Sequence, residues 1–245
     1  MIGKTKAPPG ASLILAIDTS TPVARVAVVD AITGLPTATA EAVAERHSSN
    51  LLRLCVEVTE RAGVAVAALE AIVCGAGPGS FTGLRVGLAV AKGLAMPSGI
   101  PLVLVSSLEA LAIDMRAGAR PGEVLLPCLD AGKGQVYAAL FDGRSDAGVV
   151  ARSGEWAVLP SDLAALVPEG MTVACAGPGA VRHWPALEAA FGARGRTFDV
   201  AGPSAVSVAA RGLEKMRAGE FADLDAAVPS YGRPPDITRP KRPPP

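Results

Sequence analysis

The tetrapeptide Ala-Gly-Pro-Gly occurs twice, as Ala76-Gly77-Pro78-Gly79 and as Ala176-Gly177-Pro178-Gly179, each time closing a short apolar run and preceding a small residue. Two glycines around a proline make a tight turn. Glycine reaches positive φ without steric cost, and proline cannot donate to a strand ladder. Upstream of each copy an apolar run ends in aspartate, Asp18 in the first half and Asp130 in the second, and a further strand-like run follows. One such match arises by chance. Several in the same order favour a chain built from two related lobes.

Apolar runs bounded by turn residues place strands at 12–18, 23–30, 37–44, 71–74 and 101–105. Ser48 or Ser49 offers an N-cap for a helix reaching Ala62, with Gly63 as its stop. A second helix runs from Thr82 to Ala95, before Met96-Pro97-Ser98-Gly99. The order β-β-β-α-β-α-β mixes a hairpin meander with crossover helices and predicts an α/β fold with a mixed sheet flanked by helices. In the second half, helix 107–116 precedes strands at 124–130, 135–142 and within 149–159. A short helix at 161–166, a strand at 171–176 and helices at 185–191 and 204–218 complete the reading. The expected divisions are a flexible N-terminus (1–11), an N-terminal lobe (12–106), a C-terminal lobe (107–232) and a disordered proline-rich tail (233–245). The 204–218 helix is a candidate to pack back on the N-terminal lobe.

The segment Gly75-Ala76-Gly77-Pro78-Gly79-Ser80-Phe81-Thr82-Gly83-Leu84-Arg85-Val86-Gly87 joins a strand to a helix. Such a turn can cradle phosphate on free N–H groups at the helix N-terminus. It can also be a plain strand-to-helix turn capped by Ser80. It contains no Gly-Lys-Ser/Thr and so is not a P-loop. Gly83, Gly87, Ala91 and Ala95 recur every fourth residue, leaving one helix stripe almost without side chains. Each glycine costs about 1 kcal/mol against alanine in a helix, so a close neighbour is implied, internal or from another subunit. On the preceding helix, Leu51, Leu52, Leu54, Cys55, Val56, Val58 and Ala62 sweep roughly 200° at about 100° per residue. That arc is wider than one buried face needs and offers either a crowded core or a partner face.

Lys plus Arg and Asp plus Glu number 23 each, so the chain as a whole lacks a basic charge excess for RNA. The two histidines, His47 and His183, sit in no metal-binding spacing, and no Gly-x-Ser-x-Gly elbow occurs. Asp18 and Asp130 end strands, where sugar kinases and actin-like ATPases handle magnesium or phosphate. However, Asp18 is followed by Thr19-Ser20-Thr21, with no glycine for phosphate approach, and suits capping of its own turn. Cys55, Cys74, Cys128 and Cys175 lie apart in apolar runs and read as reduced core residues of a cytoplasmic protein. No signal peptide or membrane-length apolar run is evident.

Taken together, the chain resembles the bacterial TsaB family, also called YeaZ. The resemblance rests on Asp18-Thr19-Ser20 after the first strand, Arg46-His47-Ser48-Ser49-Asn50-Leu51-Leu52, and the hallmark Gly77-Pro78-Gly79-Ser80-Phe81-Thr82-Gly83-Leu84-Arg85-Val86-Gly87. Asp130-Ala131 with Gly134-Gln135-Val136-Tyr137, and Pro229-Ser230-Tyr231-Gly232-Arg233, are similar to two further family motifs. Gly132 and Gln135 depart from the arginine and glutamate common there, which weakens any role for that loop.

The resemblance implies an actin/sugar-kinase/Hsp70-like (ASKHA) fold of two lobes. It implies a non-catalytic subunit, with no cofactor of its own, in the complex that attaches a threonylcarbamoyl group to N6 of the adenosine next to the anticodon in tRNAs reading codons that start with A. The metal and ATP belong to partners: a catalytic paralogue, TsaD, and a small ATPase, TsaE. The chain meets tRNA through that complex and forms a homodimer when alone. The TsaD face falls on the two helices of the N-terminal lobe, at Leu51, Leu52, Cys55, Val58, Thr82, Gly83, Val86, Gly87, Val90 and Ala91, so the small stripe is expected at the interface. A small-molecule kinase of the same fold and a glycoprotease-like enzyme are the alternatives.

Overall fold

The computed structural model describes residues 12–43, 48–145 and 148–232. The first half contains β1 (Leu13–Asp18), β2 (Val23–Asp30), β3 (Pro36–Val43), α1 (Ser48–Arg61), β4 (Ala71–Gly77), α2 (Phe81–Ala95) and β5 (Leu102–Ser106). Then come α3 (Ser107–Met115), β6 (Glu123–Gly132), β7 (Gln135–Ala138), β8 (Phe141–Ser145), β9 (Gly148–Ala151) and β10 (Trp156–Val158). The chain continues with α4 (Leu163–Leu166), β11 (Thr172–Ala176), α5 (Pro178–Arg182), α6 (Trp184–Phe191), β12 (Gly195–Thr197) and α7 (Ala205–Arg217).

Two mixed sheets repeat one plan. The first has the order β3-β2-β1-β4-β5, antiparallel through the hairpins and parallel from β1 to β5. The second has the order β10-β7-β6-β11-β12, with β8 and β9 attached beside β6. The duplicated, mixed-sheet reading of the sequence is borne out.

All six residues of β1 are buried, because helices cover both faces of its sheet. Leu15, Ile17, Ile72 and Cys74 face α1 and α2, while Ile14, Ala16, Val73 and Val103 face α7. Each large side chain so buried contributes about 1.5–3 kcal/mol. Gly212 lets α7 close on β4: a Cβ there would lie 2.4 Å from Val73 Cγ1. The helices exchange lobes, since α3 packs Leu108, Leu111 and Met115 against Leu125, Leu129 and Ala174 of the second sheet. Asp114 of α3 ties the two together, accepting from Ser204 N–H (2.7 Å), Ser204 Oγ (2.8 Å) and Ser207 Oγ (2.7 Å) at the start of α7. A carboxylate at a helix N-terminus is favoured by the free N–H groups and the dipole there.

The structure corrects several element readings. The strand expected over 135–142 is split into β7 and β8. The register Leu125↔Phe141 and Cys128↔Ala138 sets Pro127 opposite Ala139, and proline has no N–H to give. Leu140 turns away instead, its N–H donating to Ser153 Oγ at 2.9 Å. The 149–159 candidate is likewise two strands, β9 and β10, and the short α5 and β12 carry no periodicity long enough to read. The capping side chains of Ser48 and Ser49, together with His47, residues 1–11 and 233–245, lie outside the described side chains. Among the described residues no helix is long and apolar enough to cross a membrane.

Candidate functional site

Asp18 is sealed. Its Oδ1 accepts from Ser20 N–H (3.0 Å) and Ser20 Oγ (2.7 Å), its Oδ2 accepts from Ser107 Oγ (3.1 Å), and none of the residue is exposed. Burial pushes its carboxyl above the ordinary 3.8, against the pull of the Ser20 and Ser107 hydrogen bonds and the Arg25 charge. Gly75 makes the space, since a Cβ there would stand 2.3 Å from Asp18 Oδ2.

The Gly-Pro-Gly turn is stitched to the end of β1. Ser80 N–H donates to Ser20 O at 2.8 Å, and Gly79 lies where a Cβ would strike the Ser20 backbone. Ser80 is the N-cap of α2, its Oγ accepting from Gly83 N–H at 3.2 Å. That geometry matches the turn reading of the segment.

The stripe on α2 faces inward, which corrects its expected place at an interface. A Cβ on Gly83 would lie 2.1 Å from Thr19 O, and one on Gly87 2.2 Å from Thr19 Oγ1, so both glycines admit Thr19 of the same chain. Ala91 and Ala95 are fully buried in the same core. Leu51, Cys55, Val58 and Gly87 are also buried and present nothing to a partner. On the outside remain Leu52 (44% exposed), Val56 (39%) and Thr82, with Val86 and Val90 half-buried beside them. The wide arc on α1 is thus part core and part apolar surface.

A cleft of about 390 Å³ separates the two Gly-Pro-Gly turns, lined by Ser20, Thr21, Pro22, Ser80, Leu129, Asp130, Pro178 and Arg182. Asp130 is only part-buried. Its Oδ1 accepts from Gly132 N–H at 3.0 Å, its Oδ2 pairs with Arg182, and His183 Nε2 stands 3.7 Å from Oδ1. The sequence echo matches Asp130 with Asp18, but the strand register does not. Ile17 pairs with Cys74, which puts Asp18 beside Gly75, whereas Cys175 pairs with Leu126, four residues before Asp130. Relative to its Gly-Pro-Gly turn, Asp130 therefore stands farther along its strand, at the rim. Among the described residues no three His, Cys, Asp or Glu side chains gather in a group able to hold a metal ion.

Two motifs far apart in sequence meet on α2. Arg85 Nε donates to Tyr231 Oη at 2.9 Å, its guanidinium lies 3.9 Å over the Phe81 ring, and the Phe81 and Tyr231 rings are 4.9 Å apart. Sequence reading singled out both motifs but not their contact, because nothing local signals a pairing across 146 residues. The four cysteines are free and buried as read, and burial pushes the thiols of Cys55 and Cys175 up to about 12.

Comparison with known proteins gives this site its family. A family model described as TsaD, tRNA N6-adenosine threonylcarbamoyltransferase, matches residues 39–152. The tRNA threonylcarbamoyladenosine biosynthesis protein TsaB of Escherichia coli is 30% identical over 226 residues, 90% of this chain and 94% of that one. The solved structure of YeaZ from Pseudomonas aeruginosa superposes with a TM-score of 0.76 at 26% identity, covering 90% of this chain and 99% of that one. Component A of (R)-2-hydroxyglutaryl-CoA dehydratase from Acidaminococcus fermentans shares the fold alone, with a TM-score of 0.51 at 12% identity over 84% of this chain and 100% of that one. The fold is the actin/sugar-kinase/Hsp70-like one, and by its identity along nearly the full length of the Escherichia coli relative the chain belongs to the TsaB (YeaZ) family.

Proposed function

We propose that this chain is a non-catalytic, activating subunit in the formation of N6-threonylcarbamoyladenosine next to the tRNA anticodon. The observation that carries this reading is the sealed Asp18. A carboxylate that handles magnesium or phosphate must reach them, and here both oxygens are spent on Ser20 and Ser107 inside the protein. The catalytic step then belongs to a TsaD-like paralogue, with a TsaE-like ATPase joining the assembly. The outer strip of Leu52, Val56, Thr82, Val86 and Val90 is the docking face for the paralogue, and it closes a homodimer when the paralogue is absent. An apolar strip along two helices loses unfavourable contact with water when a partner covers it.

The test is a tRNA modification assay with the same organism's TsaD, TsaE and threonylcarbamoyl-adenylate synthase, run with and without this chain. Modification that depends on the chain is the expected result. Equal modification without it, or phosphoryl transfer from ATP by the purified chain alone, overturns the reading. Leu52→Asp and Val56→Asp, both at exposed positions, separate docking from folding. Each is expected to weaken TsaD binding at least tenfold while leaving the thermal midpoint of the chain nearly unchanged.

A further inference from the structure

Residues 222–232 form a strap along α2. Ala222 N–H donates to Leu102 O, and Lys92 Nζ donates to the carbonyls of Asp225 and Ala227. Ser230 N–H donates to Ala76 O at 2.7 Å, and Gly77, where a Cβ would strike Ser230 O, lets the strap lie on the Gly-Pro-Gly turn. Gly232 rests against Pro78 and Tyr137. Tyr231 is therefore held between two anchored neighbours, beside the N-terminal end of α2. Helical side chains lean toward the N-terminus, so Arg85 reaches back one turn to Phe81 and meets Tyr231 there. The Tyr231 hydroxyl takes its Nε, and the Phe81 ring lies beneath the guanidinium. The cation is thus fixed in place before any partner arrives.

What remains of Arg85 is a free fork. The residue is exposed, and among the described residues its two Nη groups meet no carboxylate and make no hydrogen bond. Phe81 leaves 52% of its surface in water. Thr82 and Val86 lie three residues before and one after Arg85 on the same helix, so the stack continues the apolar strip of α1 and α2. An aromatic-braced arginine at the end of such a strip has the composition of a protein-binding anchor. Its charge fits one acid. A planar fork takes a carboxylate through two parallel hydrogen bonds, whereas a nucleic-acid backbone needs a run of cations. No such run surrounds it: Lys92 is spent on strap carbonyls and Arg53 on Glu57. Residues 12–232 carry 17 Lys and Arg against 22 Asp and Glu, a net −5, which repels a polyanion.

We infer that Arg85, held by Phe81 and Tyr231, is the charged anchor of the docking face and receives an aspartate or glutamate side chain of the TsaD-like paralogue. The inference rests on the docking reading proposed above and adds to it the residue that fixes the partner's register. The test measures the affinity of the purified full chain and its variants for the same organism's TsaD. Arg85→Gln is expected to weaken binding about 30-fold or more, since it strands the partner's acid at the interface. Tyr231→Phe keeps the rings but frees the guanidinium, and a loss of about 3- to 10-fold is expected. Arg85→Lys supplies the chemical readout: carbodiimide coupling of its complex should join position 85 to an Asp or Glu of TsaD, located by mass spectrometry. Coupling only to acids of this chain, or no coupling in a complex that forms, overturns the proposal. So does an Arg85→Gln variant with a lowered thermal midpoint and native affinity, which would make the stack a tie for the strap alone. Arg85→Gln that weakens binding of single-stranded RNA and leaves TsaD affinity unchanged overturns it in favour of nucleic acid. Native affinity in Arg85→Gln alongside weakened Leu52→Asp sinks this inference and leaves the proposed function standing. A native chain that does not bind TsaD sinks both.

Discussion

The strand beside the one that leads into each Gly-Pro-Gly turn carries an aspartate, and the two could hardly be placed more differently. Asp18 lies opposite a glycine and sinks into the body, where two serines close over it. Asp130 lies four residues beyond the point where Leu126 faces Cys175, and it reaches the rim of the cleft beside Arg182 and His183. The turns themselves are alike. Gly79 packs on the Ser20 backbone and Gly179 on that of Leu129. The duplication preserves the close approach of turn to strand, which tolerates no side chain, and leaves the chemistry of the neighbouring acid free to change.

Substitutions sharpen this contrast. The largest effect is expected from Asp18→Ala, which strands the Ser20 N–H and two hydroxyls in a buried site. Such losses cost about 1–3 kcal/mol per unsatisfied group, so a destabilisation of about 3 kcal/mol or more should appear as a lower urea midpoint. Gly75→Ala comes next, at about 1–3 kcal/mol, because its methyl would overlap Asp18 Oδ2. Gly87→Ala belongs in the same range through Thr19, and loss of stability rather than of partner affinity is its expected signature. The smallest effect is expected from Asp130→Ala, within about 1 kcal/mol, since its ion pair to the largely exposed Arg182 is screened by solvent. Equal costs for Asp18→Ala and Asp130→Ala would break the comparison.

Asp18→Asn tests the same site through pH. Burial raises the folded-state pKa of Asp18 above the ordinary 3.8, so its stabilising contribution is full below that value and is lost as pH rises through the folded pKa. Asparagine stays neutral throughout. The variant should therefore gain on the native chain as pH climbs from 3.8 toward neutrality, in paired urea titrations. A gap that stays constant with pH would mean that the carboxyl ionises without cost.

Much of this was legible before the structure. The strand read at 23–30 matches β2, and the helices of the first lobe emerge within a residue or two, because apolar periodicity and turn residues there agree with the packing. The second lobe is harder. Its strands are short, Pro127 breaks a ladder that reads as continuous, and α5 is a single turn and a half. At the candidate site, spacing identified the small stripe on α2 but not its direction. A helix can turn such a stripe toward its own core or toward a partner, and only Thr19, placed by the turn after β1, decides between them. The register offset of Asp130 is likewise invisible to a match of motif order, since it depends on which residues pair across β6 and β11.

The exchange of α3 and α7 between the lobes bears on how the protein is made. The face of the first sheet formed by Ile14, Ala16, Val73 and Val103 is covered by Ala205, Val208, Ala209 and Leu213. A ribosome adding residues at roughly 5–20 per second completes β5 well before α7 emerges. During that interval the nascent first lobe has one face dressed by α1 and α2 and the other bare. The last helix among the described residues thus acts as a completion signal: a chain interrupted before it leaves an aliphatic sheet face open to chaperones and proteases.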